Sequence, residues 1–262
     1  MPAAGLAGDL HVKSGKPSAN RGITPMTLGG SGGRIGATMF SAEGKIPLAR
    51  FADRRDAGRQ LAMRLLPLAD QRPVVVGLPR GGIPVAREIA TALQAPLEIL
   101  AVRKLGAPHN PEYGIGAIVE DGTRMFDPEA LATLPIDGGV LQSIVARASE
   151  ELHHRVVAYR GGRLPMRLRN RTVVVVDDGV ATGVTDTAAI RAIRRQRPRR
   201  LILAVPVCAP DALVRLRREV DEMFCLIVPP QLRGVSQWYR DFSQIQDQDV
   251  IAALGAARGS GA

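Results

Sequence analysis

Two adjacent carboxylates, Asp177 and Asp178, follow four consecutive valines at 173–176 and precede the run Gly179-Val180-Ala181-Thr182-Gly183-Val184-Thr185. An apolar run of this kind is a buried strand, so the carboxylates fall at its carboxyl end and the small residues turn the chain into a helix. Backbone N–H groups of such a loop, backed by a helix amino terminus, make an anion site, and Thr182 and Thr185 add hydroxyl donors. A phosphate cradle beside two carboxylates repels its own ligand unless something neutral or cationic lies between. Ribose hydroxyls and a magnesium ion both meet that condition. The plainer reading, in which Asp178 caps a turn that Gly179 and Gly183 bend, explains neither the second Asp nor both threonines.

Two upstream segments carry further phosphate chemistry. Leu78-Pro79-Arg80-Gly81-Gly82-Ile83-Pro84 follows an apolar strand and opens a helix. Its glycines let the backbone approach a ligand, and Arg80 offers a planar fork to phosphate oxygens, although an ordinary glycine turn would look similar. Arg103 and Lys104 end the next strand, and residues 105–116, with Pro108, His109, Asn110 and Pro111, read as a mobile loop. A solvated charge pair at a strand end is the alternative there. His109 and Glu112 are candidate proton carriers that an exposed loop explains equally well. His153 and His154 read as surface residues, and Glu120-Asp121 before Gly122 as a hairpin turn. Near the end, residues 229–242 hold Trp238 and Tyr239, placed either to stack on a planar nucleophile or to pin the last loop onto the sheet.

These segments need a scaffold that brings strand ends together. Residues 53–69 carry apolar positions at helical spacing, with Asp53 placed as the cap. Valines 74–76 form a strand, 85–93 a helix and 97–102 a second strand. Residues 140–159 make a longer helix on which Arg147, Glu151 and Arg155 stand at i, i+4 steps. Strands at 172–176, 201–207 and 223–228 then alternate with helices at 185–195 and 211–220, and 247–257 closes the chain as a helix. The alternation predicts an α/β fold: a doubly wound, mainly parallel sheet with helices on both faces. Ligands in such sheets gather beyond the carboxyl ends of the strands. Residues 1–48 read as a flexible tail, with Met26 and Met39 as alternative starts, and 49–262 as the domain.

The residues from Val173 to Thr185 resemble the phosphoribosyl pyrophosphate signature of type I phosphoribosyltransferases. The resemblance extends over roughly residues 50–255, closest to bacterial stand-alone proteins of unassigned acceptor. It implies a glycosyltransferase of nucleotide metabolism that moves a phosphoribosyl group onto a nitrogen nucleophile and releases pyrophosphate. It implies that Asp177 and Asp178 contact the ribose hydroxyls directly or through magnesium, and that Ala181, Thr182, Gly183, Val184 and Thr185 hold the 5-phosphate. Arg80, Gly81 and Gly82 would form the pyrophosphate loop, with a non-proline cis peptide expected at Arg80–Gly81. Arg103 and Lys104 would belong to a catalytic loop that closes over pyrophosphate. A small hood from the terminal segments, with Trp238 and Tyr239 as acceptor contacts, and a homodimer are also implied.

The composition narrows the rivals. Thirty-five Lys and Arg against 25 Asp and Glu give +10 in 262 residues, a balance that raises nucleic acid or phosphate ligands as partners. Only 3% of residues are aromatic, which leaves the stacking platforms of single-strand binders nearly absent. No run reaches the ~20 apolar residues of a membrane helix, and the amino terminus lacks the continuous apolar segment of a secretory signal, so a cytoplasmic protein is expected. Cys208 and Cys225 are the only cysteines and sit in apolar runs as free thiols. Two other classes stay open: a regulator that senses phosphoribosyl pyrophosphate and binds nucleic acid through the arginines at 191–200, and a sugar-phosphate phosphohydrolase.

Overall fold

A computed structural model of the chain describes residues 35–39 and 50–259. In chain order the elements are β1 (Ile35–Met39), α1 (Arg54–Leu65), β2 (Val74–Gly77), α2 (Gly82–Ala92), β3 (Leu97–Ile99), β4 (Val102–Ala107), β5 (Asn110–Val119) and β6 (Arg124–Phe126). They continue with α3 (Pro128–Thr133), α4 (Gly138–Arg160), β7 (Thr172–Val176), α5 (Val184–Arg195), β8 (Arg200–Val207), α6 (Pro210–Leu216), β9 (Glu222–Val228) and α7 (Asp247–Gly259). Within the segment read as a tail, β1 pairs in parallel with β9. The rest of 1–49 lies outside the described residues.

The main sheet has six parallel strands in the order β1-β9-β8-β7-β2-β3. Its side chains alternate in period two between two cores, as a sheet buried on both faces requires. Val74, Val76, Val173, Val175, Leu201 and Leu203 face one core with Ile190 and Ile193 of α5. Val75, Val174, Val176 and Ile202 face the other, with Leu61 of α1, Ile89 of α2 and Leu254 of α7. The doubly wound architecture expected from the alternation is therefore the one observed.

Strand order also explains where a site forms. From β2 the chain moves outward to β3, whereas from β7 it moves the opposite way through β8 and β9, so the order reverses between β2 and β7. Loops leaving adjacent strands at such a reversal diverge and leave a crevice. Gly77 pairs with Val176 in register, and Leu78 N–H donates to the Val176 carbonyl at 2.9 Å. The loop bearing Arg80 and the loop bearing Asp177 thus leave the sheet side by side.

Two sequence expectations change. The strand expected at 97–102 stops at Ile99, and Val102 instead begins β4 of a separate antiparallel sheet, β4-β5-β6. Residues 105–116, expected as a mobile loop, lie mostly in the β4-β5 hairpin, where Leu105, Ala107, Ile115 and Ala117 are buried. The turn expected at Glu120-Asp121 is present between β5 and β6, and Thr123 N–H donates to Asp121 Oδ1 there. This second sheet is fastened to the first by Arg160 at the end of α4, which bonds Glu98, Glu120 and the Ile99 carbonyl.

Candidate active site at the β2-β7 crevice

Asp177 and Asp178 occupy the first two positions after β7, and Asp177 Oδ1 accepts the Asp178 N–H at 2.8 Å. The glycine loop after β2 lies directly against them. A Cβ at Gly81 would stand 2.0 Å from Asp178 Oδ2, and one at Gly82 would stand 2.6 Å from the Val176 carbonyl oxygen. No side chain fits at either position, so these glycines are required by close approach of the two loops. A non-proline cis peptide is present in this loop, at Pro79–Arg80 and not at Arg80–Gly81.

The far wall of the crevice comes from both ends of the domain. Arg54, the first residue of α1, donates from Nε to Asp178 Oδ2 at 2.7 Å and from Nη1 to the Ser243 carbonyl at 2.9 Å. Its guanidinium lies 3.7 Å from the centroid of Phe242, a cation–π geometry. Tyr239 O–H donates to the Asp178 carbonyl at 2.6 Å. Phe51 N–H donates to the Trp238 carbonyl and Arg240 N–H to the Phe51 carbonyl, so the start and the end of the domain are laced together here. Trp238 and Tyr239 are 5% and 3% exposed. They pin the closing segment onto β8 and β9 beside Val207 and Ile227.

The loop from Gly179 to Gly183 turns the chain from β7 into α5. Gly183 has φ 70° and ends the loop at α5, whose first N–H groups have no acceptor within the helix. Val180 bridges Cys208 in parallel, and Arg215 Nη2 donates to the Thr182 carbonyl at 2.6 Å. Ala181 and Thr182 are exposed, while Val184 and Thr185 are half-buried in the first turn.

Charge in the crevice is short of cations. Burial raises Asp177 well above the usual carboxylate range, and Asp186 and then Asp178 push it further. Burial also raises Asp178, against the opposing pull of Arg54. Asp186, on the buried face of α5, is pushed up to about 7 by desolvation, with Asp178 adding to the shift, and its Oδ1 has no hydrogen-bond partner. Three carboxylates facing one arginine would be relieved by a cation or by hydroxyl donors from a ligand.

Residues 53–238 match the phosphoribosyl transferase domain family. The chain belongs to that family. A Mycobacterium tuberculosis protein, provisionally named a phosphoribosyl transferase and known from two strains, is 44% identical over 207 residues. That alignment covers 79% of this chain and 47% of the relative, so the chain spans about half the length of the curated relatives it matches. A crystal structure of a Thermus thermophilus protein is 43% identical, superposes with a TM-score of 0.66, and covers 78% of this chain and 97% of its own.

As a type I phosphoribosyltransferase fold, the chain places its other expected site residues as follows. Arg80 Nη1 lies 3.9 Å from Asp247 Oδ1, an oxygen that also accepts the Tyr159 O–H at 2.5 Å. Arg103 faces α4 and is ion-paired with Glu151, which Arg147 also approaches at 3.6 Å. Lys104 is exposed on β4 with its stem over Gly114, and His109, His153 and His154 are exposed. Arg103 and Lys104 thus sit on a strand of the second sheet, and not in a loop. Sequence reasoning gave no site role to Arg54, Asp186 or Asp247. The first two carried a signal: Arg54 stands at i with Ala57, Gly58 and Leu61, and Asp186 at i with Ala189, Ile190 and Ile193. A charge on the apolar stripe of a helix must be satisfied by something it faces.

Proposed function

We propose that this domain binds phosphoribosyl pyrophosphate with magnesium and transfers the phosphoribosyl group to a nitrogen nucleophile, a nucleobase in the simplest case, releasing pyrophosphate. The observation that supports this most is the contact of two loops. Gly81 lies so close to Asp178 that a Cβ would overlap its carboxylate, which puts a pyrophosphate-type backbone loop, two ribose-type acids and a helix-backed phosphate loop around one crevice. Phosphoribosyl pyrophosphate presents those three groups in that order.

In this reading the first turn of α5 and the hydroxyls of Thr182 and Thr185 bind the 5-phosphate, which fixes the sugar at one end. Asp177 and Asp178 accept from the ribose hydroxyls and, as a pair of hard oxygen donors short of cations, would hold magnesium with the ligand's own oxygens. Bound magnesium would neutralise charge on the pyrophosphate leaving group. Arg80 and the Gly81-Gly82 backbone orient that group, and Arg103 and Lys104 reach it only if the β4-β5 hairpin moves toward the crevice. Bond breaking at the anomeric carbon leads to an oxocarbenium-like transition state, so positioning and electrostatics carry the catalysis. Tyr239 holds the Asp178 backbone and Arg54 holds its side chain, which keeps one acid fixed while the sugar reacts.

Pyrophosphate release, followed with purified protein, magnesium, phosphoribosyl pyrophosphate and a panel of purines, pyrimidines and small amines, tests the reading. Release that depends on one acceptor class supports transfer. Release of ribose phosphate without any acceptor identifies a hydrolase instead.

A further inference from the structure

Five arginines gather at one cleft away from the crevice. A cleft of about 550 Å3 is lined by Arg124 of β6, Arg191, Arg194 and Arg195 of α5, and Arg218 and Glu219 in the turn after α6. Thr123 lies in the wall with its Oγ1 buried and without a hydrogen-bond partner. Three of the guanidinium groups are held by acids. Arg191 donates from Nε and Nη2 to Glu219 at 3.2 and 2.5 Å, Arg194 forks onto Asp221 with both contacts at 3.1 Å, and Arg195 lies 3.5 Å from Asp121. Arg124 and Arg218 have no acidic partner among the described residues.

Solvation suffices for an isolated surface arginine, and arginines in the last turn of a helix suit its dipole. That accounts for Arg194 and Arg195. It does not account for Arg124 and Arg218, which approach the same cleft from two other elements and are in no ion pair of their own among the described residues. We propose that the cleft is a second anion site, which takes a small phosphorylated ligand of nucleotide size through its phosphate groups. Its volume lies inside the ~300–1,000 Å3 of ligand pockets. Carboxylates that clamp Arg191, Arg194 and Arg195 fix the direction of their remaining N–H groups, which lowers the ordering cost of binding. No aromatic side chain lines the cleft, so recognition rests on phosphate and not on stacking. Three acids interleaved among five arginines also break up the continuous positive field that a nucleic acid backbone requires.

Occupancy would be felt at the crevice. α5 starts at Val184, directly after the phosphate loop, and Thr123 leads into the sheet that carries Arg103 and Lys104. A ligand joining Arg124 to Arg191 ties that sheet to α5.

The test titrates inorganic tripolyphosphate calorimetrically into the full chain, Arg80→Ala and Arg124→Ser/Arg218→Ser, with duplex RNA titrated in parallel. Both arginines in the double variant are exposed, and thermal melting of the ligand-free proteins checks that the fold is kept. Two binding events are expected in the unmodified chain. Arg124→Ser/Arg218→Ser weakens one at least tenfold and spares the other, whereas Arg80→Ala does the reverse. Equal tripolyphosphate binding by the double variant and the unmodified chain overturns the proposal, as does a single event lost in Arg80→Ala. Duplex RNA binding that is tighter than tripolyphosphate and lost in the double variant overturns it in favour of a nucleic acid surface. Binding of phosphoribosyl pyrophosphate at the crevice is read separately, so either proposal can fail alone.

Discussion

Arg54 Nε donates to Asp178 Oδ2 at 2.7 Å across 124 positions of the chain. The pair closes the crevice from the amino-terminal side and is largely shielded, with side-chain exposures of 9% and 14%. Removing one partner of such a pair leaves the other charge buried and alone. Arg54→Ala is therefore expected to lower stability by ~3 kcal/mol, read from the urea midpoint. Arg54→Lys recovers part of the loss, since an ammonium cannot fork between Asp178 and Ser243. A change below ~0.5 kcal/mol, the level of an exposed pair, would contradict the assignment.

Gly81→Ala is expected to cost affinity for phosphoribosyl pyrophosphate at least tenfold. The added carbon would lie 2.0 Å from Asp178 Oδ2 and 2.5 Å from its Cγ, so either the loop or the acid must move. Gly138→Ala is the control, because a Cβ there meets nothing within 4 Å. Equal loss of affinity in both variants would remove the claim.

The pH dependence follows from Asp186. Its folded carboxyl keeps a proton up to about pH 7, against 3.8 as the ordinary value. Over that window the unfolded chain binds fewer protons than the folded one, so stability falls as pH rises. Asp186→Asn keeps the shape and removes the titration. The variant is expected to match the parent near pH 4 and to exceed it by ~2–4 kcal/mol near pH 8. Parallel stability curves for the two proteins would show that Asp186 is not the source.

Tyr239→Phe removes the donor to the Asp178 carbonyl and leaves the ring in place. A loss of ~1–2 kcal/mol in unfolding free energy is expected, with a weaker grip on phosphoribosyl pyrophosphate as the acid behind it loosens. Unchanged binding alongside reduced stability would limit Tyr239 to pinning the loop.

Much of this was legible in the residues. Four valines ahead of two acids read as a buried strand ending in charge, and the loop from Gly179 to Thr185 has the small residues and hydroxyls of an anion cradle. Asp53 was readable as a cap, and its Oδ1 accepts the Asp56 N–H at 2.7 Å. The β4-β5 hairpin was hidden by its glycines, which look like loop punctuation. Gly106 and Gly116 instead sit where backbones press together: a Cβ at the first would lie 2.4 Å from the Pro111 carbonyl oxygen, and at the second 2.3 Å from that of Met125. Composition cannot distinguish a glycine that frees a chain from one that lets two strands meet. The ion pair of Arg103 was likewise hidden, because Glu151, its partner, lies on a different element. Asp247 gave no local sign of a place at the site, since its contacts to Tyr159 and Arg80 are made by tertiary packing alone.

The central claim is tested most directly by calorimetric titration of phosphoribosyl pyrophosphate, in the presence of magnesium, into the unmodified chain and into Asp177→Asn/Asp178→Asn. Saturable binding by the unmodified chain, weakened at least a hundredfold in the double variant, is the predicted result. Equal binding by both proteins, or none by the unmodified chain, would contradict it.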